Sequence, residues 1–348
     1  MHSRPKVLTS VAGLLAAVVV PLCLAAFVQP ASASTLEAVR ARGVLSCGVG
    51  ANAPGYAAMD RFGGWAGIDI EFCRAVAAAV LGDPGKVEVV ALPPREIFLA
   101  LRSGRIDLLA RGPTWTLSRD TEFPVRFVGV LVYDGQGFLV PKSHGIGSAL
   151  ELSGASICVA SGTRADEAMM AYFGRQRMRV QIVTSERWAD LITAYSSGGC
   201  TALTAEQTVL ADVRRTLAKP DDHAILPEII SKEPVGPAVR TGDDQWSSIV
   251  RWVLMALIVA EELDVSRSNL DARAGSQIED VRRLLGVGSN LGASLGLPPD
   301  WARRVIAAVG NYGEIYERTL GLGSPFKLPR GYNGLWTQGG LMFGVPLR

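Results

Sequence analysis

Twice along this chain a strand pattern and a helix pattern alternate, and that alternation restricts the fold more than any single motif. "VLSCGVG" is a short apolar run ending in glycines, and "WAGIDIEFCRAVAAAVLGD" is a lead-in followed by an alanine-rich helix that Gly82 ends. "KVEVVAL" alternates as a strand, "REIFLALRSGRID" is helical, and "LLA" at 108–110 is a short buried strand. The order strand, helix, strand, helix, strand predicts an α/β layer with a largely parallel sheet. The rhythm restarts after about residue 140 with the strand "SICVA", the helix "RADEAMMAYFGRQR", the strand "VQIVTS" and the helix "ERWADLITAYSSGGC". "TALTAEQTVLADVRRTLA" then gives one more strand and helix. Two α/β units of about 100 residues predict two lobes with a cleft between them. "EIISKEPVGPAVRTGDDQW" is extended and proline-broken, a crossover, and a helix-rich tail follows it. A tail returning to the first unit makes that unit discontinuous.

The first 33 residues stand outside this pattern. Arg4 and Lys6 precede the apolar run "VLTSVAGLLAAVVVPLCLAAFV", and "ASA" at 31–33 is the small-residue pattern that signal peptidase cuts after. The segment reads as a cleaved signal peptide, which puts the mature protein in a bacterial periplasm. Cleavage removes two of the 35 basic residues and none of the 33 acidic ones, leaving 33 of each sign. A neutral chain lacks the basic footprint that nucleic acid or an anionic membrane surface requires. "WVLMALIVA" at 252–260 is too short and too closely flanked by charge to span a bilayer, and suits a buried helix.

Four cysteines remain after cleavage, Cys47, Cys73, Cys158 and Cys200. An even count in an oxidising compartment suggests disulfides, with three connectivities open. Pairing neighbours closes loops of moderate size, each worth roughly 3–4 kcal/mol. No C-x-x-C spacing occurs and the histidines, His2, His144 and His223, are scattered, so no metal site is expected. "GVGANAPG" falls short of the full G-x-G-x-x-G pattern, and no cofactor is expected.

"GVLSCGVG", "GWAGIDIEFCRAVAAAV", "TWTLSRDT", "YDGQGF", "AKPDDH", "LPEIISKEPVGPAVRTGDDQW" and "GNYGEIYER" follow one another in the order found in a known family. From about Thr35 to Arg348 the chain resembles the periplasmic general L-amino-acid-binding proteins of bacterial ABC importers, solute-binding protein family 3. The resemblance implies an α/β, two-lobed periplasmic binding protein fold of type II. Each lobe is then a mixed sheet flanked by helices, and two hinge strands join them. The expected divisions are 1–33 signal peptide, 34–137 first lobe, 138–237 second lobe, and 238–348 the rest of the first lobe with a helical tail. The implied function is capture of an L-amino acid, acidic or amide ones favoured, by two closing lobes. A monomer then delivers it to an inner-membrane ABC permease, with no catalysis.

The resemblance also implies site residues. A hydroxyl five positions before an arginine, Thr114 and Arg119 here, binds the ligand α-carboxylate; a planar guanidinium matches a carboxylate bidentately. The competing reading of Arg119 is a helix-start residue paired with Asp120 or Glu122. "SGTRAD" at 161–166 offers a glycine turn at a helix N-terminus, with Thr163 as the family's hydroxyl residue and Arg164 where a second threonine is usual. Glu206 stands where the family has an aspartate for the α-ammonium. Arg111 and Arg164 are candidates for the side-chain pocket, and either Asn52 or Tyr56 covers the ligand side chain. Gly112 and Pro113 depart from the Asn and Thr frequent in relatives. Two alternatives share the fold: a cyclohexadienyl-dehydratase-like enzyme, for which Glu206 is the one candidate acid/base, and an amino-acid sensor acting through a membrane partner.

Overall fold

The computed structural model describes His2 and residues 34–60, 62–110 and 114–348. The expected signal peptide and Arg111, Gly112 and Pro113 lie outside the described residues. The first continuous stretch opens at Ser34, which caps helix α1 (Thr35–Arg42) in a reciprocal capping box with Glu37. Gly43, at φ 71°, ends it. Left-handed backbone is what glycine adopts without penalty, so the helix stops where the sequence predicts.

The first sheet begins with β1 (Leu45–Gly50), all but its last residue buried. A small hairpin, β2 (Ala58–Met59) and β3 (Trp65–Ala66), leads to α2 (Ile68–Leu81). Then come β4 (Val87–Leu92), α3 (Ile97–Arg102), β5 (Leu108–Leu109), α4 (Leu117–Glu122) and β6 (Val125–Phe127). The chain crosses to the second sheet through β7 (Val132–Asp134). That sheet is made of β8 (Gln136–Pro141), β9 (Ser156–Ala160), α5 (Arg164–Arg175), β10 (Gln181–Ser185), α6 (Trp188–Ser196), β11 (Ala202–Glu206), α7 (Gln207–Thr216) and β12 (His223–Ile225). The return path is β13 (Glu233–Val235) followed by β14 (Ala238–Arg240).

The two five-stranded sheets share one plan. The first runs β4-β1-β5-β14-β6 and the second β10-β9-β11-β8-β12. In each, three strands are parallel and the fourth and fifth pair antiparallel. Because β14 inserts between β5 and β6, the chain completes its first sheet only after building the second. The connection between lobes is a ribbon in which β7 and β13 pair antiparallel, with Glu233 opposite Asp134. Its glycines are sterically required. A Cβ on Gly236 would lie 1.9 Å from the Gly129 carbonyl oxygen, and one on Gly135 would lie 2.3 Å from an Ile229 methyl.

The helical tail supplies the first lobe's main layer. In α8 (Asp244–Glu262) the run Val253, Leu254, Ala256, Leu257, Ile258 and Ala260 is buried in the core. Its Trp246 indole donates to the Asp107 carbonyl at 2.9 Å. Two short helices follow, α9 (Leu270–Ala274) and α10 (Glu279–Leu284). "PPDWARRVIAAVGNYGEIYERTL" then forms two helices, α11 (Trp301–Val309) and α12 (Tyr312–Thr319). Gly310 breaks the run, and Asn311 with Glu314 makes a second capping box. No helix of the described residues is long and apolar enough to cross a membrane.

Beyond α12 the C-terminal segment reaches both the hinge and the second lobe. Asn333 accepts from the Tyr133 N–H at 2.7 Å and donates to its carbonyl at 3.0 Å, so one side-chain amide mimics a strand along β7. Arg330 fixes Asn333 by donating to its carbonyl and to Glu261 at 3.0 and 3.1 Å. Further on, Arg214 of α7 donates to the Phe326 carbonyl at 2.5 Å, Arg215 lies over the Phe326 ring, and Lys327 pairs with Asp221 at 3.2 Å. These contacts clasp α7 to the C-terminal segment.

The cysteines pair as neighbours. Cys47 of β1 is bonded to Cys73 of α2, and Cys158 of β9 to Cys200 just before β11. The loops span 26 and 42 residues, and loop-closure entropy makes each bridge worth roughly 3.5–4 kcal/mol against unfolding. Neither bridge ties one sheet to the other. Cys158→Ser with Cys200→Ser should therefore lower unfolding free energy by about 3–4 kcal/mol while leaving ligand affinity within about twofold. Denaturant titration and calorimetry on the same samples check both halves.

Candidate functional site

Parallel strands of an open sheet end in loops whose backbone groups are unpaired, and ligands gather in the crevice beyond their carboxyl ends. Here β5 ends before Thr114, β9 runs through the turn at Gly162 into α5, and β11 ends at Glu206. The crevice beyond them contains a cavity of about 290 Å³ lined by Gln136, Arg164, Ala165, Glu167, Ala168, Ala171, Glu206, Ser231 and Glu233.

On the first-lobe side, the loop carrying Thr114 is docked on the hinge ribbon. The Trp115 N–H donates to the Pro234 carbonyl at 2.9 Å, and the Trp115 ring stacks on Phe127 at 5.4 Å. That places the Thr114 hydroxyl where it donates to the Glu233 carboxylate, on the cavity wall. Thr116 caps α4 by accepting from the Arg119 N–H at 3.4 Å, and the Arg119 guanidinium folds back to donate to the Thr114 carbonyl at 2.7 Å. The alternative pairing of Arg119 with Asp120 or Glu122 is not formed. Arg119 is instead held below its ordinary basicity, first by burial and then by the like charge of Arg164, with Glu233 opposing. Arg164 lines the cavity, and Arg119 stands behind Thr114, which bonds to Glu233 on the same wall, so the like charges of two guanidiniums from two lobes are felt together there. This arrangement attracts an anion.

On the second-lobe side, Arg164 is the first residue of α5, whose amphipathic turn is seated by Met169 and Phe173 in the core. Thr163 precedes it as N-cap, but its hydroxyl donates backwards to the Ala160 carbonyl at 2.8 Å and caps no N–H. Thr163 is exposed and does not line the cavity. Glu206 does; it sits at the end of β11, directly opposite Gln136 on β8.

Tyr56 is buried, and its hydroxyl donates at 3.1 Å to Asp134, the last residue of β7. The same carboxylate oxygen accepts from Thr208 of α7 at 2.5 Å, and the other oxygen from the Gly135 N–H at 2.8 Å. Asp134 keeps some exposure as a residue, yet its carboxylate is surrounded by protein. Desolvation pushes its carboxyl above the usual range against the pull of these three donors, and Glu206 adds to the rise. Asn52 lies elsewhere, exposed in a left-handed turn at φ 50° on a separate depression shared with Phe326 and Arg318. Arg111 is outside the described residues.

The structure therefore gathers Thr114, Arg119, Arg164 and Glu206 and separates them from Asn52 and from the Thr163 hydroxyl. It adds Glu233, Ser231 and Gln136, which sequence reasoning did not assign. "YDGQGF" and "SKEP" hold these three residues, but their closeness depends on the ribbon pairing β7 with β13, which no local pattern encodes. Among the described residues no group of His, Cys, Asp or Glu could hold a metal ion.

The bacterial extracellular solute-binding proteins, family 3, match residues 45–266 of this chain. A general L-amino acid-binding periplasmic protein of Rhizobium johnstonii is 48% identical over 96% of this chain and 99% of its own length. A glutamate/glutamine/aspartate/asparagine-binding protein of Rhodobacter capsulatus is 47% identical over 94% and 97%. Among solved structures, an ABC transporter periplasmic binding protein from Brucella ovis with glutathione bound is 47% identical, with a TM-score of 0.79, covering 91% of this chain and all of that one. These relatives are named as binding proteins, and none of the three as an enzyme.

Proposed function

The chain belongs to the family 3 bacterial extracellular solute-binding proteins, and on that premise we propose that it captures L-amino acids in the cavity between its lobes. One observation carries this reading. Arg164 and three carboxylates, Glu167, Glu206 and Glu233, line one cavity of about 290 Å³, and Thr114, whose carbonyl holds the Arg119 guanidinium, donates to Glu233 on its wall. A free amino acid carries the complementary pair, an α-carboxylate and an α-ammonium. Arg119 holds the α-carboxylate with the help of the Thr114 hydroxyl, and the N-terminus of α5 at Thr163 and Arg164 adds N–H groups and a favourable dipole. Glu206 holds the α-ammonium. With Arg164 and Arg111 left over for the side chain, acidic and amide ligands are favoured. Tyr56 acts through Asp134, tying the first lobe to the hinge beside the ligand.

Residues 1–33 are a signal peptide removed on export, and the protein works in the periplasm as a monomer. It hands its ligand to an inner-membrane ABC permease that recognises the closed lobes, a state the ligand favours by population shift. The protein is read as a binder rather than an enzyme, supported by relatives that are named as binding proteins.

A thermal-shift screen of the twenty amino acids and glutathione tests the reading, because a ligand that binds only the native state raises its melting temperature. At 100 times its dissociation constant a ligand adds about 2.7 kcal/mol, a shift on the order of 5 °C. Shifts with Glu, Asp, Gln and Asn are the expected result; no shift with any compound overturns it. Glutathione is in the panel because the 47% identical Brucella ovis protein holds it, and its γ-glutamyl end presents the same α-carboxylate and α-ammonium.

A further inference from the structure

We propose that Gln136 is a ligand-binding residue whose side-chain oxygen accepts a hydrogen bond from the α-ammonium of the bound amino acid. The inference rests on the proposed function above and names a contact that neither the sequence pattern nor the resemblance assigns.

Gln136 is 3% exposed and lines the cavity. Its Nε2 donates to the Ala165 carbonyl at 2.8 Å and to the Thr204 hydroxyl oxygen at 2.9 Å. A carbonyl can only accept, so the amide cannot be turned the other way round without setting oxygen against oxygen. That fixes Oε1 as the remaining atom, and Oε1 is buried with no hydrogen-bond partner. Buried polar atoms are nearly always paired, and one that is not needs a donor from elsewhere.

Register says which donor. Gln136 and Glu206 face each other directly across β8 and β11, and opposite residues of an antiparallel pair stand on the same face with Cβ atoms about 4.5–5.5 Å apart. The two side chains therefore stand next to each other on one face of the sheet, and both residues line the cavity. Next to Gln136, whose N–H donates to the Ser231 hydroxyl at 3.0 Å, Ser231 and Glu233 supply further acceptors on the cavity wall. An ammonium group brings three N–H donors to such a ring, and a carboxylate side chain brings none. Gln136 also sits just beyond the hinge residue Gly135, so lobe rotation changes what lies over its oxygen. Seating of the α-ammonium on Glu206 completes the pairing that the ligand-free cavity leaves unmade.

The test compares wild type, Gln136→Met and Gln136→Glu by calorimetry against every amino acid that binds the wild type. The methionine variant keeps the shape and loses the acceptor. A hydrogen bond to a charged group makes the expected loss about tenfold or more, by the same factor for ligands with different side chains. The glutamate variant keeps an acceptor oxygen but sets its second oxygen against the Ala165 carbonyl, so a lower ligand-free melting temperature is expected with affinity retained better than in Gln136→Met. A role confined to packing through Nε2 predicts instead that both variants fail alike. Unchanged affinity in Gln136→Met, or a loss confined to ligands with donor-bearing side chains, overturns the assignment. If wild type binds no amino acid, the proposed function fails first, so the two failures are distinguishable.

Discussion

Arg119→Ala should abolish measurable amino-acid binding at micromolar ligand while the protein stays folded. Removing one partner of a desolvated charge pair costs about 2–5 kcal/mol, or roughly 30- to several-thousand-fold in dissociation constant. Arg119 sits at the upper part of that range for two reasons. Its guanidinium is already oriented by the Thr114 carbonyl, so little freedom is lost when a carboxylate docks. Among the described residues it also forms no ion pair with a carboxylate, and burial together with Arg164 makes its charge costly until one arrives. Stability should change little or rise, since the substitution relieves that repulsion. Arg119→Lys should recover only part of the loss, because a point charge cannot grip two oxygens in a plane. Calorimetry with L-glutamate, beside a melting curve of the ligand-free variant, separates binding from folding. Near wild-type affinity in Arg119→Ala would show that the α-carboxylate lies elsewhere.

The second large effect is at Glu206. Glu206→Gln removes the negative charge but preserves length, and the ammonium then meets a neutral amide while Arg164 stays close by. A loss of roughly 30-fold or more is expected. Glu206→Asp restores the family's usual residue and retracts the carboxylate by one methylene. If the cavity has adjusted to glutamate, affinity drops about tenfold; if the ligand shifts towards β11, it is retained. Either way Asp should bind better than Gln, and the reverse order would remove the carboxylate from the ammonium site. Equilibrium titration with a single L-amino acid ranks the three proteins.

Local patterns carried most of the fold. Gly43 and Gly82 mark their helix ends, and the buried runs at Leu45–Gly50 and Ser156–Ala160 are strands as their apolar patterning predicts. Long-range pairing was not legible in the same way. β6, β7 and β12 are three residues each, too short for any period to show, and they form only because a neighbouring strand is present. The break at Gly310 was hidden inside one continuous helical pattern, although the Asn311–Glu314 spacing of its capping box was there to be read. The site followed the same rule. Arg164 starts a helix, Glu206 ends a strand, and Arg119 lies in the first turn of α4 just after the loop that holds Thr114, where sequence signals are strong. Gln136, Ser231 and Glu233 enter the cavity only through pairing of β7 and β8 with distant segments.

The clasp between α7 and the C-terminal segment bears on how the molecule can move. Two adjacent strands form an axle about which one body can both swing and twist. The α7 helix leaves that axle at Gln207, hydrogen-bonded to Gly135, and reaches Arg214 about 10 Å further along. Its grip on Phe326 and Lys327 is therefore a second bearing set off the axle, while Asn333 holds the axle itself. A body carried on two separated bearings keeps its swing and loses its twist. Lobe movement that keeps both grips is confined to a single angular coordinate, the one along which ligand binding energy can then act.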